Sequence, residues 1–335
     1  MTTTMKKLPA LLMLFTATGA YAADPIPASV RATHTLSFPA GVELVNVNVS
    51  VLNVRERFVT DLGRDDFLLL EDGVPQELTM FAQEELPLSL VMLLDMSASM
   101  NANVRAVRQA AGRLIQKLRP QDEAQIIEFN TSQRVLQDFT SDQAALLKAI
   151  QQTRPNGSTA LHNVLYITLK DLARQSKAQD LRRRAIVLLS DGQDTASMVT
   201  DDQVMELARS AEINIYSILI AAGDDAEENE LERARYLLTS LARESGGQSF
   251  FPRDATELMS VYDRIAQELQ SQYSIGYIPK NPSLDGGWRQ ILVMLQKHGL
   301  RVRHRLGYYA VPDGPSRAKT GDAGRAGAFA FNARP

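Results

Sequence analysis

No cysteine occurs in this chain, so an oxidising compartment would find nothing to cross-link and stability must come from packing. Long apolar runs are equally scarce. Only "LPALLMLF" near the start stands out, and it is too short for a bilayer core of ~30 Å; nothing later approaches ~18 uninterrupted apolar residues. Charge of one sign is missing too, since a formal net charge of −3 leaves no general attraction for nucleic acid. The one basic run, Arg182-Arg183-Arg184, precedes an apolar segment and reads as a solvated loop. There are only four histidines and no G-x-S-x-G elbow, which leaves few partners for a nucleophile and its base.

The first residues carry a different message. Lys6-Lys7 ahead of the apolar stretch, and the small-x-small "AYA" at Ala20 to Ala22, predict a secretory signal over residues 1–22, cleaved between Ala22 and Ala23. A retained N-terminal anchor is the alternative. The cleaved form is expected to be secreted or periplasmic, with no transmembrane segment. It is long enough for one large domain plus a smaller one, or for two medium ones.

Two textures follow. Val45, Val47, Val49 and Val51 alternate with Asn46, Asn48 and Ser50, the period of a strand with one buried face. Asp72-Gly73 between two apolar segments predicts a tight hairpin, because glycine accepts positive φ. From Leu88 onward, "LSLVMLL", "AQIIEF", "RAIVLLS" and "INIYSILIA" are short and apolar on both faces. Helices lie between them: Val104, Val107, Ala111, Leu114, Ile115 and Leu118 form one apolar stripe, and Leu258, Val261, Tyr262, Ile265, Ala266 and Leu269 another. The fold class is therefore α/β, a doubly wound, mostly parallel sheet between helices over residues 88–272. "QRVLQDFT" follows its predecessor too closely for a crossover helix and should be an antiparallel edge strand. β texture returns in "QYSIGYIP", "WRQILVMLQ" and "LRVRHRLGYYA". Neither flank, 33–85 or 273–311, has enough strands to bury a face alone, so the two should pack as one small all-β sandwich. Residues 312–335, rich in Pro, Gly, Asp, Arg and Ala, are expected to be a disordered tail.

In an open α/β sheet, ligands bind where loops leave the carboxyl ends of the strands. "DMSASM" follows one such strand and "SDGQD" another, while "NGSTAL" puts Thr159 in a Gly-containing loop. Asp95, Ser97, Ser99, Thr159 and Asp191 could thus converge. A set of hard oxygens without His or Cys favours Mg²⁺ or Mn²⁺ over zinc.

These stretches, in this order, resemble the metal-ion-dependent adhesion site of von Willebrand factor type A domains. With "DDFLLLEDGVPQELTMF" before and "QYSIGYIP" and "LGYYA" after, the chain resembles the VWFA-related acidobacterial domain family of secreted bacterial proteins. That resemblance implies that the hydroxyls bind the ion directly and the aspartates largely through water. It also implies a coordination position left for an Asp or Glu carboxylate of a partner protein, which is adhesion chemistry rather than turnover. A metal-dependent hydrolase or phosphotransfer enzyme, and a scaffold with an idle site, are the competing readings. Of the histidines, His162 follows Thr159 in a helix and reads as structural, while His34, His298 and His304 fall in β regions. Trp288, Tyr308 and Tyr309 read as core aromatics rather than a ligand platform. The acidic run from Asp224 reads as the first turn of a helix.

Overall fold

A computed structural model describes residues 44–83, 86–175, 182–220 and 228–311. The predicted signal and the predicted tail lie outside the described residues.

The first strands are β1 (Val45–Asn53), β2 (Phe67–Glu71), β3 (Val74–Gln76) and β4 (Leu78–Gln83). The alternating valines of β1 are all buried. Asp72 and Gly73 join β2 to β3 with φ of 48° and 80°. Two successive positive φ values match the twist of a two-residue hairpin.

The α/β part follows: β5 (Leu88–Asp95), α1 (Val104–Gln116), β6 (Glu123–Phe129), β7 (Gln133–Thr140), α2 (Gln143–Gln151), α3 (Leu161–Gln175) and β8 (Arg183–Ser190). It continues through α4 (Asp201–Ser210), β9 (Asn214–Leu219), α5 (Glu228–Ser245), β10 (Ser249–Phe250) and α6 (Ala255–Ser271). These strands form one six-stranded sheet in the order β10-β9-β8-β5-β6-β7. All pairings are parallel except β6 with β7, the hairpin at the sheet edge. Along β5, Leu90, Met92 and Leu94 enter a core shared with α1, α2 and α6, while Val91 and Leu93 enter one shared with α3, α4 and α5. Both faces are covered, which is why these strands carry no polar alternation.

The chain ends its described part with β11 (Tyr273–Tyr277), β12 (Trp288–Leu295), β13 (Leu300–Arg303) and β14 (Gly307–Tyr309). They interleave with the first strands in two four-stranded sheets, β13-β1-β11-β4 and β14-β12-β2-β3. Val47, Val49, Leu69, Tyr273, Ile275, Ile291 and Val293 share the core of this all-β unit.

Three sequence expectations need correction. "LRVRHRLGYYA" is two strands in different sheets: β13 pairs with β1 and β14 with β12. The chain crosses between them at His304, whose ring accepts from the Val293 N–H at 3.1 Å. Arg183 and Arg184 are buried in β8, not solvated, because Arg183 reaches the carbonyls of Leu86 and Leu269 where the two parts of the molecule meet. Of the aromatics, Tyr308 lies in the core, but Trp288 and Tyr309 are only half-buried and pack edge to face against each other.

The end of the α/β sheet away from the Asp95 loop rests on β1. Glu268 of α6 is fully buried there; Ser50 and Tyr216 donate to its Oε1 at 2.8 and 3.0 Å, and Arg303 pairs with its other oxygen. Glu268→Ala removes the acceptor of two hydroxyls and the buried carboxylate partner of Arg303, which keeps its bond to Gln248, so urea unfolding should show a loss of about 3–5 kcal/mol. A loss below about 1 kcal/mol, the scale of an exposed pair, would mean the network contributes nothing beyond a surface ion pair.

Candidate metal centre

The sheet order creates the site. From β5 the chain runs outward through β6 and β7, then returns to β8 on the opposite side of β5. The loops after β5 and β8 therefore diverge at a topological switch point, where α/β sheets bind ligands. Asp95 ends β5, and Asp191 directly follows β8.

Asp95, Ser97, Thr159 and Asp191 are each at most 2% exposed, whereas Ser99 is exposed. Asp95 Oδ1 accepts from the Ser97 N–H at 2.9 Å, and Oδ2 from the Ser190 hydroxyl at 2.6 Å. The Ser97 and Ser99 hydroxyls lie 3.0 Å apart. Ser97 stands in extended backbone just before a 3₁₀ turn, Ala98–Ala102, that contains Ser99, and this turn brings the two oxygens together. Gly192 turns the chain sharply after Asp191: its φ is +82°, and a Cβ there would sit 2.5 Å from the Leu219 side chain. Only glycine fits both demands.

Backbone bonds tie the three loops together. Asn156 N–H donates to Met96 O at 2.7 Å and Ala98 N–H to Gly157 O at 3.0 Å, joining the Thr159 loop to the Asp95 loop. The N–H groups of Thr195 and Ala196 both donate to Thr159 O at 3.0 Å, joining it to the Asp191 loop. All five sequence-predicted residues thus sit on three mutually bonded loops.

The electrostatics of the cluster are unbalanced. Burial, opposed by the Ser190 hydrogen bond and reinforced by the charge of Asp191, pushes the Asp95 carboxyl up to about 6. Asp191 Oδ1 accepts from Gln193 N–H at 3.2 Å, but its buried Oδ2 has no hydrogen-bond partner. Neither carboxylate makes an ion pair among the described residues. Two buried acids with an orphaned oxygen, flanked by hydroxyls, fit a small hard cation. No group of three His, Cys, Asp or Glu side chains suited to a metal occurs among the described residues, so any ion here would depend on hydroxyl ligands.

Sequence reasoning missed Ser190, Asp194 and Thr195. Ser190 holds Asp95 in place, and Thr195 Oγ1 accepts from Thr159 N–H at 3.3 Å. Their only sequence signal is their place in and just after "SDGQD".

A doubly wound α/β domain with a hydroxyl-and-carboxylate cluster at its switch point defines the class. The family model of the von Willebrand factor type A domain matches residues 89–264, just over half of the chain, and the chain belongs to that family. Inter alpha-trypsin inhibitor heavy chain 4 of Mus musculus is 25% identical over 210 residues, which are 59% of this chain and 22% of that protein. An uncharacterised Synechocystis protein is 24% identical over 190 residues, 56% of this chain and 42% of its own length. This chain therefore spans less than half of either relative. Among solved structures, the vWF domain of the type V pili tip protein Mfa5 from Porphyromonas gingivalis has 15% identity and a TM-score of 0.44, covering 55% of this chain and 95% of that one. Proximal thread matrix protein 1 from the mussel byssus, with a zinc-occupied MIDAS motif, has 15% identity and a TM-score of 0.45, covering 59% and 49%. Domains of this family commonly mediate protein–protein interactions, are typically non-enzymatic, and often bind a divalent metal at such a motif.

Proposed function

We propose that this is an exported bacterial protein that captures a partner protein through a divalent ion, Mg²⁺ or Mn²⁺, held by Asp95, Ser97, Ser99, Thr159 and Asp191. An Asp or Glu carboxylate of the partner completes the coordination. The observation that carries the proposal is the pair of buried acids, Asp95 raised to about 6 and Asp191 with an orphaned Oδ2. Buried charge without a counter-charge is costly, and a cation supplies the missing one. When bound, the ion provides an electrophilic centre for a carboxylate. The chain's own residues do the rest: Ser190 orients Asp95, Gly192 sets the turn that aims Asp191, and Ser97 with Ser99 offers two adjacent oxygens. With the hydroxyls as direct ligands and the aspartates acting largely through water, as the family resemblance implies, the ion's charge is only partly compensated at the metal, which favours an acidic partner. The flanking all-β unit supports a place in the VWFA-related acidobacterial branch.

Titration of the metal-free full chain with Mg²⁺ and Mn²⁺ by calorimetry tests the ion, and a pull-down from envelope extract with and without EDTA tests the capture. Binding at millimolar ion or below and EDTA-sensitive capture are expected. A chain that binds neither ion makes the site an idle scaffold, and ion-dependent turnover in a hydrolase screen makes the protein an enzyme. N-terminal sequencing of exported material should begin at Ala23; an intact Met1 refutes the cleavage.

A further inference from the structure

The Thr159 and Asp191 loops also meet through contacts that the proposed coordination does not use. Asp194 lies in the same acidic stretch as Asp191, yet both of its oxygens are engaged. Oδ1 accepts from the N–H groups of Ser197 and Ala196 at 3.0 and 3.4 Å. Oδ2 accepts from the backbone N–H of His162 at 3.1 Å and lies 2.9 Å from its ring Nδ1. The other ring nitrogen, Nε2, is 3.3 Å from Asp201 Oδ1 at the start of α4. Asn163 extends the seam: its N–H donates to Ser197 Oγ at 3.1 Å, and its Oδ1 accepts from Met198 and Val199 N–H at 3.0 and 3.1 Å.

Residues 191–200 form neither helix nor strand, and neither do residues 153–160. Nothing in regular structure fixes one loop against the other. We propose that His162 and Asp194 are positioning residues, whose contact locks the Asp191 loop onto the first turn of α3 and so sets the spacing between Asp191 and Thr159. This inference rests on the divalent-ion reading for its consequence, though not for its geometry.

The alternatives fare worse. Asp194 is not free to ligate an ion, since four N–H groups occupy its two oxygens. His162 is no free base, since both ring nitrogens face carboxylates. The electrostatics agree with a clasp. Burial works against charge on the ring, but Asp194 first and Asp201 second raise the His162 pKa; burial likewise opposes the charge on Asp194, yet bonds from the His162 ring and backbone bring it down to about 2. Groups that fix the arrangement of a metal's ligands act on affinity without touching the metal.

Amide hydrogen exchange in EDTA and calorimetric titration with Mg²⁺ and Mn²⁺, both on the full chain, test this. In His162→Ala the amides of Ala196 to Val199 should lose protection, and ion affinity should fall roughly tenfold. His162→Asn, which keeps a side-chain N–H directed at Asp194, should recover much of both, a rescue that simple destabilisation would not give. Should His162→Ala fail to fold, Asn163→Ala removes the neighbouring acceptor and carries the same two expectations. Unchanged protection overturns the clasp, and lost protection with wild-type affinity overturns its role in the site. A wild-type chain that binds no ion while His162→Ala loses protection keeps the clasp and removes the metal reading.

Discussion

Asp95→Ala should abolish Mg²⁺ and Mn²⁺ binding together with partner capture, while the metal-free protein melts at the same temperature or slightly higher. Asp95 is fully buried, and its folded pKa of about 6 lies above the ordinary carboxylate value of 3.8. That gap corresponds to about 3 kcal/mol against the ionised form in the fold. Alanine removes the penalty but also the bonds from Ser97 N–H and the Ser190 hydroxyl, so the two effects nearly offset. The sign of the pH dependence follows. Protonated Asp95 favours the fold, so its contribution is complete below about pH 3.8 and is lost as pH rises through about 6. A bound ion competes with that proton. Added Mg²⁺ should therefore raise the melting temperature of the wild type markedly at pH 7 and little at pH 5, and should leave Asp95→Ala unmoved at both. Wild-type ion affinity in the variant would exclude Asp95 from the site.

Truncation after Gln272 should leave a chain that aggregates rather than a smaller folded protein. It removes β11 from between β1 and β4, and β12 from between β14 and β2. Val45, Val47, Val49, Val51, Phe67 and Leu69 then lose the partners that cover them. Each such side chain contributes about 1.5–3 kcal/mol when buried, so the loss approaches the whole stability of a domain, about 5–15 kcal/mol. Light scattering and a melting curve decide it. A monomeric truncate with an unchanged curve would show that the flanking segments fold independently.

Most of the fold is legible where periodicity carries it. The valines of β1 announce a one-sided strand, and the unbroken apolar runs of β5 and β8 announce a sheet covered on both faces. Asp72-Gly73 is legible because its turn depends on two backbone angles that few residues tolerate. The split between β13 and β14 is not, since both halves keep strand composition and only the crossing at His304 separates them. Arg183 illustrates a second blind spot. A charged residue reads as solvated unless its acceptors are known, and the carbonyl of Leu269 comes from a distant helix end. At the candidate site, the five predicted positions form a readable pattern because each stands at or just after the end of an apolar strand or just before a helix. Asp194 and His162 form none, because a bond between a loop and the start of a helix has no period.

The interleaving of the sheets also dictates an order of events during synthesis. Val47 pairs with Ile275, and Leu70 with Leu292, so β1 emerges long before either of its neighbours and β2 long before β12. The α/β part, whose strand pairings all lie within its own stretch of chain, can close while β1 to β4 still wait with their apolar sides uncovered. Closing the long loop is an entropic cost that the nascent strands meet only once β11 and β12 have been made. Until then β1 and β2 are the segment most in need of a holding chaperone, because the strands that cover them are made only after the whole α/β part.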